Sequence, residues 1–292
     1  MICLSRAKVS SKSPDFRPRL LLSELSLFFT VQIIGLYVAI RIAAVEIIPV
    51  VETGPAVKSF LILFTIATAV FLLLIRFLKK RLGFMKILMA FIIFVGSETV
   101  FIVFFSEFTA MLLAISLVII RFTYPTIFVQ NASLILALAG VGASIGLLFN
   151  VSTIFIILAV LSVYDIIAVY KTKHMLTLFK GTIKGGVPLA LIASEKISGM
   201  RSNLKKANIN KPATKREYTF LGTGDVAFPL ILAVSALRTG LFASLAVVVG
   251  GLVGILIIHS LLIYGKGKPI PALPPLAACT MGAYLVASYL LI

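Results

Sequence analysis

Residues 218–237, YTFLGTGDVAFPLILAVSAL, run for 20 positions with one charged side chain, Asp225. A bilayer core takes about 20 predominantly apolar residues as one helix. The stretch therefore reads as a membrane span with a carboxyl at membrane depth. Ionisable groups there are costly and mark functional sites by default. Eight further apolar runs lie near residues 20–40, 57–78, 84–105, 108–128, 132–149, 151–170, 240–263 and 272–292. Of the 292 residues, 60% are hydrophobic and 13% charged, against about half and about a quarter in soluble domains. That balance excludes a water-soluble globule. The expected fold is an all-α polytopic membrane protein with nine transmembrane helices. The first run is too long for the apolar region of a cleaved signal, so it reads as a retained helix.

Orientation follows from charge. The formal net charge is +17, from 27 Lys and Arg against 10 Asp and Glu. With nine spans, 24 of the basic residues fall on one side of the membrane, 11 of them in the sixth connection. Only Arg41, Lys58 and Arg238 fall on the other. The positive-inside rule then places the N-terminus in the cytoplasm and the C-terminus outside. Four segments result: a basic cytoplasmic N-terminal segment (1–19), spans one to six (20–170), a basic cytoplasmic loop (171–217) and spans seven to nine (218–292). The loop's charge suits membrane lipids with anionic headgroups. No nucleic-acid partner is expected. Inside the loop, Val187–Ala193 is too short to span and reads as an interfacial or strand-like element. Cys3 and Cys279, at opposite ends, suggest neither a disulfide framework nor a metal site.

The chain has three aspartates. Asp15 lies in the basic N-terminal segment, while Asp165 and Asp225 lie inside apolar runs. Asp165 is six residues before Lys171 and Asp225 eight after Glu217. At helical rise these offsets are roughly 9 Å and roughly 12 Å from the cytoplasmic ends of spans six and seven. Both carboxyls thus share a depth on consecutive antiparallel spans. Two carboxyls held together in a low-dielectric site share one proton. That state suits peptide hydrolysis, in which the carboxylate takes a proton from water and the acid protonates the carbonyl. A proton- or cation-coupled transporter, or an ion leak channel, would use the same pair. Gly222, three residues before Asp225, is expected on its helical face, and Gly222 and Gly224 are expected to admit another backbone. Pro229 should loosen the turn beside the acid, and Pro269, Pro271, Pro274 and Pro275 exclude regular helix where the ninth run begins.

At these residues the chain resembles the GxGD intramembrane aspartyl proteases, the presenilin and signal peptide peptidase family. Tyr164-Asp165 matches the YD motif, and Gly222-Thr223-Gly224-Asp225 matches GxGD, with threonine where leucine is usual. Pro271-Ala272-Leu273 matches PAL. The three fall in order on runs six, seven and nine. The resemblance implies an intramembrane-cleaving aspartic endopeptidase that hydrolyses transmembrane segments of substrate proteins. Asp165 and Asp225 would be its catalytic pair, with Tyr164, Gly222, Thr223, Gly224, Pro271, Ala272 and Leu273 shaping the site. No cofactor or metal is implied. The location would be multi-pass in a membrane, the cell membrane in a prokaryote, in the orientation of presenilins. The compact chain points to a microbial, archaeal homologue that needs no accessory subunit; a homo-oligomer stays open.

Other residues have plainer readings. Glu24, Glu98 and Glu107 are expected to snorkel or to make structural hydrogen bonds, and His259 to be a packed polar residue. Gly142-x-x-x-Gly146 and Gly250-x-x-x-Gly254 are helix-packing signals, read as contacts within the chain. The sequon at Asn150 falls in a tight external turn and is expected to be unmodified. There is no HExxH and no Cys/His cluster, so a zinc protease is excluded. A substrate helix must unwind before its carbonyls are reachable, and Val187–Ala193 is expected to pair with it as a strand.

Overall fold

The structure, a computed structural model, describes residues 18–45, 58–59, 62, 82–172, 186, 188–195, 197–204, 218–264 and 270–290. Nearly all of the second apolar run and most of the sixth connection lie outside the described residues, as do residues 1–17. Each of the other eight runs contains a described helix: α1 (Pro18–Val45), α2 (Leu82–Ile102), α3 (Glu107–Thr123), α4 (Ile127–Leu148), α5 (Val151–Ile167), α7 (Thr223–Ala236), α8 (Leu241–Tyr264) and α9 (Leu273–Leu290). A single turn, α6 (Ile197–Met200), lies in the sixth connection. Six of these helices are long and apolar enough to cross a membrane, α5 when its helical continuation to Tyr170 is included, whereas α3 has 17 residues and α7 has 14.

The shortness of α7 corrects the reading of its run. Tyr218–Gly222 is a strand, β2, paired antiparallel with β1 (Ala190–Ser194). Ala190 faces Gly222, and Ser194 faces Tyr218. Among the described residues the fold is thus mostly helical with one two-stranded ribbon, not all-α. Tyr, Thr and Phe favour strands, and an unbroken apolar run gives no period to tell strand from helix. Gly222 then caps α7 in extended conformation, with φ −60° and ψ 141°.

α7 is the centre of the bundle. Val226 and every residue from Pro229 to Ala236 are buried, and α7 packs on α1, α4, α5, α8 and α9. Small residues make room for it. A Cβ added at Gly35 of α1 or Gly142 of α4 would lie 2.5 Å from Leu230 Cδ2, so Leu230 is seated between two glycines. One turn on, a Cβ at Gly146 would lie 2.6 Å from Val234 Cβ. The Gly142/Gly146 pair therefore packs within the chain. Gly250 and Gly254 do the same against α9, meeting Cys279 and Leu276. Gly96 and Gly140 bring the backbones of α2 and α4 into direct contact.

Polar groups pin both ends of α4. Thr126 caps its start by accepting from Val129 N at 3.3 Å. At its end, Arg238 donates to Leu147 O and Phe149 O, and Ser235 Oγ donates to Phe149 O at 2.7 Å. These bonds fasten the C-terminal end of α7 to the turn between α4 and α5. In that turn Asn150 caps α5, accepting from Thr153 N at 2.8 Å and Thr153 Oγ1 at 2.7 Å. Glu24 does not snorkel. It is fully buried and meets His259 Nδ1 of α8 at 3.2 Å.

Candidate active site

Asp165 lies in the last turn of α5, on its buried face. Helical geometry then changes. Ala168–Thr172 forms a π-turn, and Ala168 N bonds to both Asp165 O and Tyr164 O. Such π-turns are rare and gather at functional sites. Asp165 Oδ2 accepts a hydrogen bond from Leu273 N at 3.1 Å. Leu273 is the first residue of α9, where the leading N–H groups have no partner inside the helix. Pro274 and Pro275 have no N–H, and Leu276 N bonds back to Ala272 O at 3.4 Å. Leu273 thus carries the donor that the start of α9 presents to Asp165. Pro274 and Pro275 sit inside the first helical turn, where proline is tolerated. The exclusion of regular helix holds for Ile270–Ala272 but not beyond, and Pro269 lies outside the described residues.

Asp225 lies in the first turn of α7 and is buried. The expected offset of about two helical turns is overturned, because residues 218–222 are strand. Gly222 correspondingly sits at the cap of α7, three residues before Asp225. Among the described residues, a Cβ at Gly224 would meet only Phe228, at an ordinary 3.6 Å, and no backbone of another element. Pro229 stays within α7, and beside it Gln32 Nε2 of α1 donates to Val226 O at 3.1 Å.

α5, α7 and α9 pack on one another, which brings the three motif-bearing segments together. Pro271, Ala272 and Leu273 are buried, Thr223 and Gly224 half-buried, and Tyr164 is 38% exposed. Asp225 lies within α7's own first turn, and the Asp165 carboxyl, from the last turn of α5, accepts the leading N–H of α9. Helix N-termini carry partial positive charge and favour carboxylates. Glu98 is half-buried and Glu107 exposed at the start of α3. Among the described residues no group of three His, Cys, Asp or Glu side chains is assembled around one point.

The sixth connection contributes residues that motif reading missed. The strand character expected of Val187–Ala193 is present in Ala190–Ser194, but its partner is the chain's own β2. Its other edge is taken at Ile192, where Asn131 Nδ2 donates to Ile192 O at 2.8 Å and Ile192 N donates to Asn131 Oδ1 at 2.9 Å. Gln130 Nε2 donates to Pro188 O at 2.6 Å. Arg121, 1% exposed at the end of α3, donates to Gly186 O at 3.1 Å. Gly186 holds φ +72°, a backbone that favours glycine. Further on, Leu204 N donates to Pro125 O at 3.0 Å and Ile127 N to Ser202 O at 3.1 Å. The available signal was an amide or a guanidinium placed in an apolar run.

The family model for signal-peptide peptidase, presenilin aspartyl protease matches residues 25–291. Two solved structures, both described as a presenilin family intramembrane aspartate protease, match at a TM-score of 0.64. The one in space group C222 is 23% identical and is aligned over 92% of this chain and 99% of its own. The one in space group P2 is 22% identical, over 94% and 99%. At that identity the likeness is one of fold. No curated protein matches the chain.

Proposed function

Because the chain belongs to the signal-peptide peptidase and presenilin aspartyl protease family, we propose that Asp165 and Asp225 are the acid pair with which it hydrolyses peptide bonds. The chain is an intramembrane aspartyl protease, and the transporter reading finds no support in either comparison. What carries the assignment of the pair is the bond from Leu273 N to Asp165 Oδ2. It ties the first acid to the PAL segment on a helix that also packs against α7. The second acid is buried at the start of α7.

In this reading the pair shares one proton. The carboxylate member removes a proton from water, and water oxygen attacks the scissile carbonyl carbon. The protonated member donates to the carbonyl oxygen, giving a tetrahedral diol and a net transfer of one proton through the pair. In the collapse the newly protonated member gives its proton to the departing nitrogen as the C–N bond breaks, the other member takes a proton from one diol hydroxyl as the carbonyl re-forms, and the pair regains its starting state. The substrate is a transmembrane helix of another protein, opened locally so that its carbonyls are accessible. Tyr164, Gly222, Thr223, Gly224, Pro271 and Ala272 line the approach. The finer topology is part of the proposal: nine spans, N-terminus in the cytoplasm, C-terminus outside, in the cell membrane of a prokaryote. The basic loop lies on anionic lipid, and no accessory subunit takes part.

The test is cleavage of a single-span reporter in lipid by wild type, Asp165→Asn and Asp225→Asn, with proton flux in matched liposomes. Cleavage that disappears in both variants supports the pair. Cleavage that survives either substitution removes it, and flux that needs both acids without cleavage restores the transporter reading.

A further inference from the structure

Asn131 is buried near the start of α4 with both ends of its amide engaged by one residue of the ribbon, Ile192. Donating to a residue's carbonyl while accepting from its N–H is what a facing residue does in a hydrogen-bonded antiparallel pair. Asn131 therefore closes the outer edge of β1 as a one-residue third strand. Alternate residues of a strand face alternate sides, so Ile192 turned to Asn131 leaves Leu191 and Ala193 turned to Leu221 and Thr219 of β2. β2 ends at Gly222, the cap of α7, and Asp225 follows in the first turn.

We propose that Asn131 is a positioning residue of the protease: its amide fixes the register of the β1–β2 ribbon, which sets where α7 begins and hence where the Asp225 carboxyl lies. The inference rests on the reading of Asp225 as one of the acid pair. Gln130 and Arg121 hold the approach to β1 at Pro188 and Gly186. Asn131 alone among these grips the strand itself. Without it, Ile192 N–H and C=O would face an apolar helix, and the ribbon would gain by shifting to satisfy them.

The experiment uses the full-length protein in lipid with the single-span reporter, comparing wild type, Asn131→Leu, Asn131→Asp and Asp225→Asn. Asn131→Leu keeps the volume and removes both bonds. Its kcat should fall about ten- to a hundredfold, the scale of a misplacement near 1 Å, with KM within about twofold of wild type. The carboxyl that Asn131→Asp introduces carries, when protonated, one donor and one acceptor like the amide, whereas the ionised form can only accept. The activity of Asn131→Asp relative to wild type should therefore fall as pH rises from about 5 to about 9. A role confined to packing would lower the melting temperature without producing that slope. Asn131→Leu with wild-type kcat, or a flat Asn131→Asp ratio, overturns the proposal. If Asn131→Leu is not recovered folded, the pH ratio decides alone. Cleavage that survives Asp225→Asn instead removes the acid-pair reading, whatever the Asn131 variants do.

Discussion

Replacing Leu273 by proline deletes one hydrogen that replacing it by alanine leaves in place. Both substitutions empty the same buried side-chain site, at a shared cost of about 2–5 kcal/mol in stability. Proline is well accommodated at the first position of a helix, which is where Leu273 stands in α9. Only the proline variant loses the donor to Asp165 Oδ2, a bond of 3.1 Å in a buried setting. A hydrogen bond to a charged acceptor contributes about 1.5–3 kcal/mol. With each 1.36 kcal/mol worth about tenfold in rate, kcat for Leu273→Pro should lie roughly 10- to 150-fold below that of Leu273→Ala. The assay is initial-rate cleavage of a reporter at saturating concentration in lipid, with thermal unfolding measured on both variants. Similar melting temperatures would isolate the bond from any loss of helix. Equal kcat values for the two variants would refute the reasoning that α9 holds Asp165 through this N–H.

Three stability predictions follow from packing and pairing. Gly146→Ala sets a Cβ 2.8 Å from Ile231 O, an unyielding backbone atom, and should lose about 1–3 kcal/mol; Gly282→Ala, with no described residue within 4 Å, should be neutral or gain up to about 1 kcal/mol, and reversal of that order in denaturation would contradict the packing. His259→Leu leaves the buried Glu24 carboxyl without its imidazole and should cost about 3–5 kcal/mol, most of it recovered in Glu24→Met/His259→Leu; a double-mutant cycle with additive losses would show that the pair is not coupled. Asn150→Ala removes the cap of α5 and should cost about 1 kcal/mol, while Asn150→Asp, which keeps the acceptor, should melt near wild type.

The helices were legible because each needs only an unbroken apolar run of sufficient length, and the site was legible because three short motifs sit on runs six, seven and nine. The ribbon was not. Tyr218–Gly222 belongs to an apolar stretch that reads equally as strand or helix, and the element that decides for strand, Ala190–Ser194, lies 24 residues upstream of it. The spacing of Asp225 from Glu217 was illegible for the same reason, since residues 218–222 are extended and rise further per residue than a helix. Asn131 and Ile192 are 61 positions apart and Glu24 and His259 235 apart. No periodicity relates such pairs. Their polarity within apolar runs was visible, but polarity says that a group needs a partner without naming it.

Four of the buried polar side chains share a task, which is to satisfy irregular backbone. Irregular backbone at membrane depth survives only where its polar groups are satisfied by protein. The segments that lead to Asp225 are irregular, comprising a positive-φ turn at Gly186, a strand, a cap and a helix that carries Pro229. At four of these places a side chain from α1, α3 or α4 supplies a donor to a main-chain carbonyl: Arg121 to Gly186, Gln130 to Pro188, Asn131 to Ile192 and Gln32 to Val226. In a proton or ion relay, polar side chains would hand charge to one another along a path. These four are spent on backbone, and the segments they hold lead to the carboxyl at the start of α7. The same economy applies at Asp165, where the donor is itself main chain, Leu273 N. These four side chains therefore hold irregular backbone in the segments that lead to Asp225, a task the proposed acid pair requires.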